Sequence, residues 1–304
     1  MKLTRCLSAV AELLVIINVE MDVKRVVCVV CTEGQVVHML PEGPPVYGVT
    51  SLGEEIYLLR SKEGVAEVEV YDVINFRLLR CLTVPNSRGF NDMTSCELFL
   101  SLYISDPFVE CIHRLDLRGN STKWPVNDRP QGLSVNADHN LIVTCPRVRK
   151  IKEFSPHGDL LHDVTLPDDV INPWHAIQLT NGQFIVCCGN VADPIHRVCK
   201  VSEDGGHIIN SHGGERGSDI GQYNVPYHLA VDNEFVFVVD LFNRRVTLLS
   251  PTLDYKRQVV SGDEFKWKPD RICLDVQRRR LYVTENKFED GKLTTGHVVV
   301  YFTV

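Results

Sequence analysis

One short phrase returns six times along the chain, and no other feature narrows its fold as much. The phrase is a quartet that opens an apolar strand: Val46-Tyr47-Gly48-Val49, Phe90-Asn91-Asp92-Met93, Pro130-Gln131-Gly132-Leu133, Pro173-Trp174-His175-Ala176, Pro226-Tyr227-His228-Leu229 and Pro269-Asp270-Arg271-Ile272. The third residues of successive quartets lie 44, 40, 43, 53 and 43 positions apart. A period of about 40 to 50 residues built from short strands specifies a β-propeller with one four-stranded blade per repeat. The fold read from the sequence is therefore all-β: a six-bladed β-propeller.

The period holds strand by strand. In the fifth repeat, strands are expected at 229–231, 235–240, 246–249 and 255–260. The second strand recurs at 55–60, 100–106, 141–145, 184–188 and 281–285, always rich in Val, Ile, Leu, Phe and Tyr, as strands packed on both faces should be. Turn residues such as Thr180-Asn181-Gly182 and Pro156-His157-Gly158 separate them. His212-Gly213-Gly214 also reads as a turn. The last repeat lacks an outer strand, while Gln35-Val36-Val37-His38-Met39-Leu40-Pro41 resembles the outer-strand phrases at 78–85 and 160–167. The expectation is that residues 35–41 pair with the C-terminal blade and close the ring, which removes an exposed sheet edge. Residues 35–304 then form one domain preceded by a lead-in at 1–34, in which the strand-like run 26–31 has no assigned place.

Composition bounds the function. A net charge of −7 argues against a protein built chiefly to grip nucleic-acid backbone, DNA included, and the basic runs at 147–152 and 278–280 read as solvated strands and turns. The eleven cysteines are scattered and odd in number, many of them inside apolar strands, where a thiol acts as a small hydrophobe. That pattern favours a reducing, cytoplasmic setting. Cys28 and Cys31 have no second pair or histidine set beside them, so no zinc site is assigned there. A charged head and an apolar run at 6–19 resemble a secretory signal, but Glu12 interrupts the run and no clean cleavage site follows. A short helix or strand ahead of the ring is the preferred reading, and no segment is long enough to span a bilayer.

The most specific residues lie in the fifth repeat. Gly221-Gln222-Tyr223-Asn224-Val225-Pro226 leads into a strand ending at Asp232, and Asp240-Leu241-Phe242-Asn243-Arg244-Arg245-Val246 follows. This resembles the NHL repeat, with its G-x-F/Y-x-x-P opening and D-x-x-N-x-R-V phrase. Repeats three, four and six fit partly, and repeats one and two fit poorly. The chain is similar to the propellers that end tripartite-motif proteins. In those proteins ubiquitin-ligase activity belongs to an upstream RING, which this sequence does not show, nor does it show a B-box or coiled coil. The resemblance implies a non-catalytic recognition platform, with protein or RNA as the ligand.

Strand polarity points to the docking face. Adjacent strands run antiparallel, so first-strand starts and second-to-third loops gather on one side of the disc. The candidate partner-binding residues there are Asn91, Asp92, Gln131, Arg147, Trp174, His175, Tyr227, His228, Asn243, Arg244, Asp270 and Arg271. Loops on a rigid scaffold commonly carry binding, and aromatics and Arg are enriched at hot spots. Against this, Trp174 and Tyr227 could simply pack between blades, and Asp240 with Arg245 could be interstrand support. A protein or peptide ligand is the first expectation. Single-stranded RNA is the alternative, with Trp174, Tyr227 and Phe242 stacking and Arg147, Arg244 and Arg271 on phosphates.

A metal-dependent enzyme is the third reading. His175 and His228 occupy equivalent positions and, with Asp92 or Asp270, would make a conceivable ligand set. No third histidine matches them, because the equivalent positions in repeats one and three are Gly48 and Gly132. Nucleophile-elbow and phosphate-loop motifs are also missing. The sequence therefore assigns no catalytic residue, metal or cofactor.

Overall fold

The computed structural model describes residues 34–62, 65–290 and 292–303. The readings made at 1–33, including the apolar run and the Cys28/Cys31 pair, lie outside these residues. Six four-stranded antiparallel sheets stand around a ring. Blade five comprises Pro226–Val231, Val236–Asp240, Arg245–Leu249 and Tyr255–Val260, close to the strands expected there. Among the described residues the only helical turn is the 3₁₀ turn Pro146–Val148.

Blades two, three, four and five bury the second strand most completely. Leu141–Cys145, Phe184–Cys188 and Val236–Asp240 are buried at every position, whereas the outer strand Leu160–Thr165 is exposed nearly throughout. The apolar clusters lie between sheets: Tyr57, Leu59 and Val68 of blade one meet Met93, Leu102 and Ile104 of blade two. Val239 and Val246 of blade five likewise meet Leu281 and Val283 of blade six. Every strand that presents side chains to both neighbours must be apolar on both faces, which explains the unbroken hydrophobic runs. Each fully buried Val, Leu, Ile or Phe contributes about 1.5–3 kcal/mol, so the radial stack of blades carries most of the stability.

The ring closes as the sequence leads one to expect. Val36–Met39 forms the outer strand of blade six, pairing antiparallel with Lys292–Phe302 through Val36↔Tyr301 and Met39↔Val299. Arg60, 2 % exposed, reinforces the seam. Its guanidinium donates to the carbonyls of Pro41, Pro44 and Gly296 and pairs with Glu69 at 2.6 Å. Asn286 adds a side-chain ladder between blades six and one, accepting from Val46 N–H at 2.9 Å and donating to Val46 C=O at 2.7 Å. One local expectation is corrected: residues 212–214 lie inside the outer strand Ile208–Glu215 of blade four, not in a turn. Paired glycines suit either setting, and here they continue a long hairpin that lengthens this repeat.

Candidate functional site

The opening quartets converge where the central channel meets the face on which the first strands begin. A β-bulge re-aims those of blades one, four, five and six. In blade four Pro173 pairs with Cys188 and His175 with Cys187, leaving Trp174 as the extra residue. Tyr227 is the extra residue in blade five, and the register shifts in the same way between Pro269 and Ile272 in blade six. Bulges of this kind turn side chains out of strict alternation. They let His175, His228 and Arg271 meet Asp92 of blade two. Gly48 and Gly132 contribute no side chains at the two remaining positions.

Asp92 is the hub. One carboxylate oxygen accepts from Leu133 N–H at 2.8 Å and lies 3.3 Å from His228 Nε2 and 4.0 Å from His175 Nε2. The other accepts from Met93 N–H at 2.9 Å and faces Arg271 Nε at 3.3 Å. The two imidazoles stack with centroids 3.8 Å apart and planes 28° apart, and His175 Nε2 is 3.0 Å from the Leu133 carbonyl oxygen. Arg271 also donates to Asn91 C=O and lies over the Tyr227 ring at 4.5 Å.

Burial sets the protonation states. It opposes ionisation of Asp92, but His228, Arg271 and His175 outweigh it and hold the carboxyl down at about 2. Desolvation and the neighbouring His228 push His175 down to about 3, so the ring is neutral at physiological pH. Burial raises Asp270 above its ordinary value despite Arg271, Thr284 and Asn286 beside it.

Asp92, His175 and His228 offer one potential metal donor each, all within 4.8 Å. The lone pairs of imidazole nitrogens lie in their ring planes, so two nearly parallel rings do not aim at one ion. Arg271 adds a fixed positive charge at the same carboxylate. As built, the cluster is a hydrogen-bonded plug that joins blades two, four, five and six across the axis.

The expected docking residues therefore divide. Asp92, His175, His228, Asp270 and Arg271 are 7 % exposed or less, which corrects their assignment to an open face: bulges in blades four, five and six turn His175, His228, Asp270 and Arg271 inward, Asp92 reaches the same point from a regular strand, and each meets a buried partner. Trp174 and Tyr227 are half-buried and pack against each other, ring centroids 5.3 Å apart, with Trp174 Nε1 donating to Gly189 C=O at 2.9 Å. Gln131 and Asn91 are half-buried and engaged through their backbones. Asn243 donates to Gly217 C=O and Asp240, while the Arg244 guanidinium turns onto the Phe265 carbonyl. Arg147 alone of the twelve is exposed. Asp240 and Arg245 pair across the strands at 2.9 Å as interstrand support.

Sequence reasoning missed a set of exposed apolar residues on this face. Val65, Phe108, Val148, Val191, Phe242 and Phe288 lie at or beside the junction of the second and third strands, one in each blade, with exposures from 37 % to 79 %. Phe242 was singled out only as a stacking candidate. The signal was available: an apolar residue two or three positions after the second strand in Asp106-Pro107-Phe108, Cys145-Pro146-Arg147-Val148, Cys188-Gly189-Asn190-Val191 and Asp240-Leu241-Phe242.

No family model matches the chain, and no curated protein matches it. Solved structures do. Virginiamycin B lyase from Staphylococcus aureus superposes with a TM-score of 0.59 at 10% identity, covering 86% of this chain and 98% of that one. A nidogen/laminin complex gives 0.59 at 11% identity over 75% and 84%. The Swd1 β-propeller domain of Myceliophteria thermophila gives 0.59 at 10% over 89% and 99%. At such identities the likeness establishes the propeller fold alone.

Proposed function

We propose that the chain is a non-catalytic recognition module whose ligand is a protein or peptide segment lying across the face where the first strands begin. The observation that carries this reading is the ring of exposed apolar residues, one per blade, around a plugged channel. The opposite face exposes Ile74, Leu98, Leu100 and Val276, confined to blades one, two and six. Exposed apolar residues gathered on one face mark interaction sites, and aromatic members such as Phe108, Phe242 and Phe288 suit hot spots.

The reading extends the NHL-like phrase of blade five to a relative of substrate-recognition propellers. It includes a cytoplasmic location, supported by the free thiols of Cys96, Cys111, Cys145, Cys187, Cys188, Cys199 and Cys273. No helix among the described residues is long and apolar enough to cross a membrane. RNA is the weaker ligand, since Arg244 and Arg271, two of its three phosphate partners, are engaged internally. A catalytic role is weaker too, because the titratable cluster at the axis is buried.

Selection of displayed peptides on the immobilised protein tests the proposal. Selected peptides should bind the wild type and an Ile74→Ser/Val276→Ser variant equally. They should lose more than about tenfold, or 1.4 kcal/mol, against Phe108→Ser/Phe242→Ser/Phe288→Ser. Equal loss in both variants, or salt-steep binding of an RNA pool without peptide binding, would overturn it.

A further inference from the structure

One sector of this face has a chemical polarity of its own. Lys268 opens the first strand of blade six, and its ammonium sits 4.3 Å from the ring centroid of Phe242 in blade five and 5.0 Å from that of Phe288 in blade six. Both rings are exposed, at 37 % and 44 %. The neighbouring lysines are neutralised: Lys266 pairs with Glu42, and Lys287 pairs with Glu289 at 2.6 Å. Among the described residues Lys268 has no carboxylate within ion-pair reach.

We infer that Lys268, Phe242 and Phe288 form a clasp for an acidic peptide, in which an Asp or Glu carboxylate pairs with Lys268 while an adjacent Leu, Ile or Phe covers the two rings. The inference rests on the docking reading above and specifies its ligand. Three physical facts support it. The rings hold the ammonium partly out of water, so a carboxylate that reaches it pairs in a lower dielectric than at an open surface. The exposed ring faces leave apolar area that a neighbouring side chain can bury at about 25 cal/mol per Å². The chain as a whole carries −7, so a lone unpaired cation between aromatics selects an anionic segment locally while the surroundings repel anions elsewhere.

The probe is a set of fluorescent decapeptides with a central Leu-Asp-Phe, Leu-Asn-Phe or Leu-Lys-Phe. Measured by anisotropy, the Asp peptide should bind roughly fivefold tighter than the Asn peptide, equivalent to about 1 kcal/mol, with the preference shrinking as salt rises. Lys268→Gln should abolish the preference and Lys268→Glu should reverse it toward the Lys peptide, while Lys266→Gln leaves it intact. Near-normal melting of all three variants is expected, since Lys266 is exposed and the half-buried Lys268 has no carboxylate partner among the described residues to strand. A charge preference unchanged in Lys268→Glu, or equal binding of the Asp and Asn peptides, would overturn the clasp alone. Failure of every peptide to bind, together with failure of the peptide selection, would overturn the docking reading beneath it.

Discussion

A Cβ on Gly132 would stand 2.7 Å from Cδ2 of His175 and 2.5 Å from the carbonyl oxygen of Trp174. Gly132 also donates its N–H to that carbonyl at 3.1 Å, so blade three touches blade four backbone to backbone at the channel. Nothing with a side chain fits there without moving His175 off His228. Gly132→Ala should therefore destabilise the protein by about 1–3 kcal/mol through overpacking. Gly214 makes a matched control: a Cβ there meets nothing within 4 Å, and Gly214→Ala should shift the denaturant midpoint little. Equal midpoints for the two variants would defeat this account of the contact.

Arg60 offers a second test, this time of the closing seam. The side chain is buried and serves three carbonyls and Glu69, so Arg60→Leu strands several polar groups at once. Breaking a buried charged network by removing one partner costs on the order of 3–5 kcal/mol. Arg60→Leu should lower the melting temperature accordingly, and removal of residues 1–42 should lower it further, because it strips the outer strand from blade six. Unchanged melting after that removal would mean the strand at Val36–Met39 does not close the ring.

The legible and illegible parts of this molecule differ for a physical reason. Strand number, strand order and closure follow from a period that every blade must obey to pack against two neighbours, so the apolar runs at 141–145 and 184–188 match the strands residue for residue. The site is different. Regular alternation would put Trp174 and His175 on opposite faces of a sheet, but the extra residue at Trp174 breaks the alternation, and no residue type announces a bulge. Acids at or near the ends of second strands are equally hard to read. Asp106 accepts the N–H groups of Arg88 and Phe108, Asp240 that of Asn224, and Glu285 that of Trp267, so they tie down incoming connections and do not face a ligand. A polar residue at a loop looks alike in sequence whether it serves the backbone or a partner.

The plugged channel makes stability depend on acid. His175 titrates at about 3 in the fold against an ordinary 6.5, because desolvation and His228 disfavour its charged form. A depressed folded value means the unfolded chain binds the extra proton first. The stabilisation from keeping this ring neutral is complete above about pH 6.5 and is lost as pH falls toward 3, at up to about 1.4 kcal/mol per pH unit. Asp92, held at about 2 against an ordinary 3.8, extends the loss below pH 3.8 by the same sign rule. His175→Gln keeps an N–H for the Leu133 carbonyl but has no proton to gain. It should be less stable than the wild type near pH 7 and should close that gap as the pH drops to 4. Urea unfolding at pH 7, 6, 5 and 4 measures the gap directly. A constant difference across that range would show that the ring beside His228 is not kept neutral by its burial.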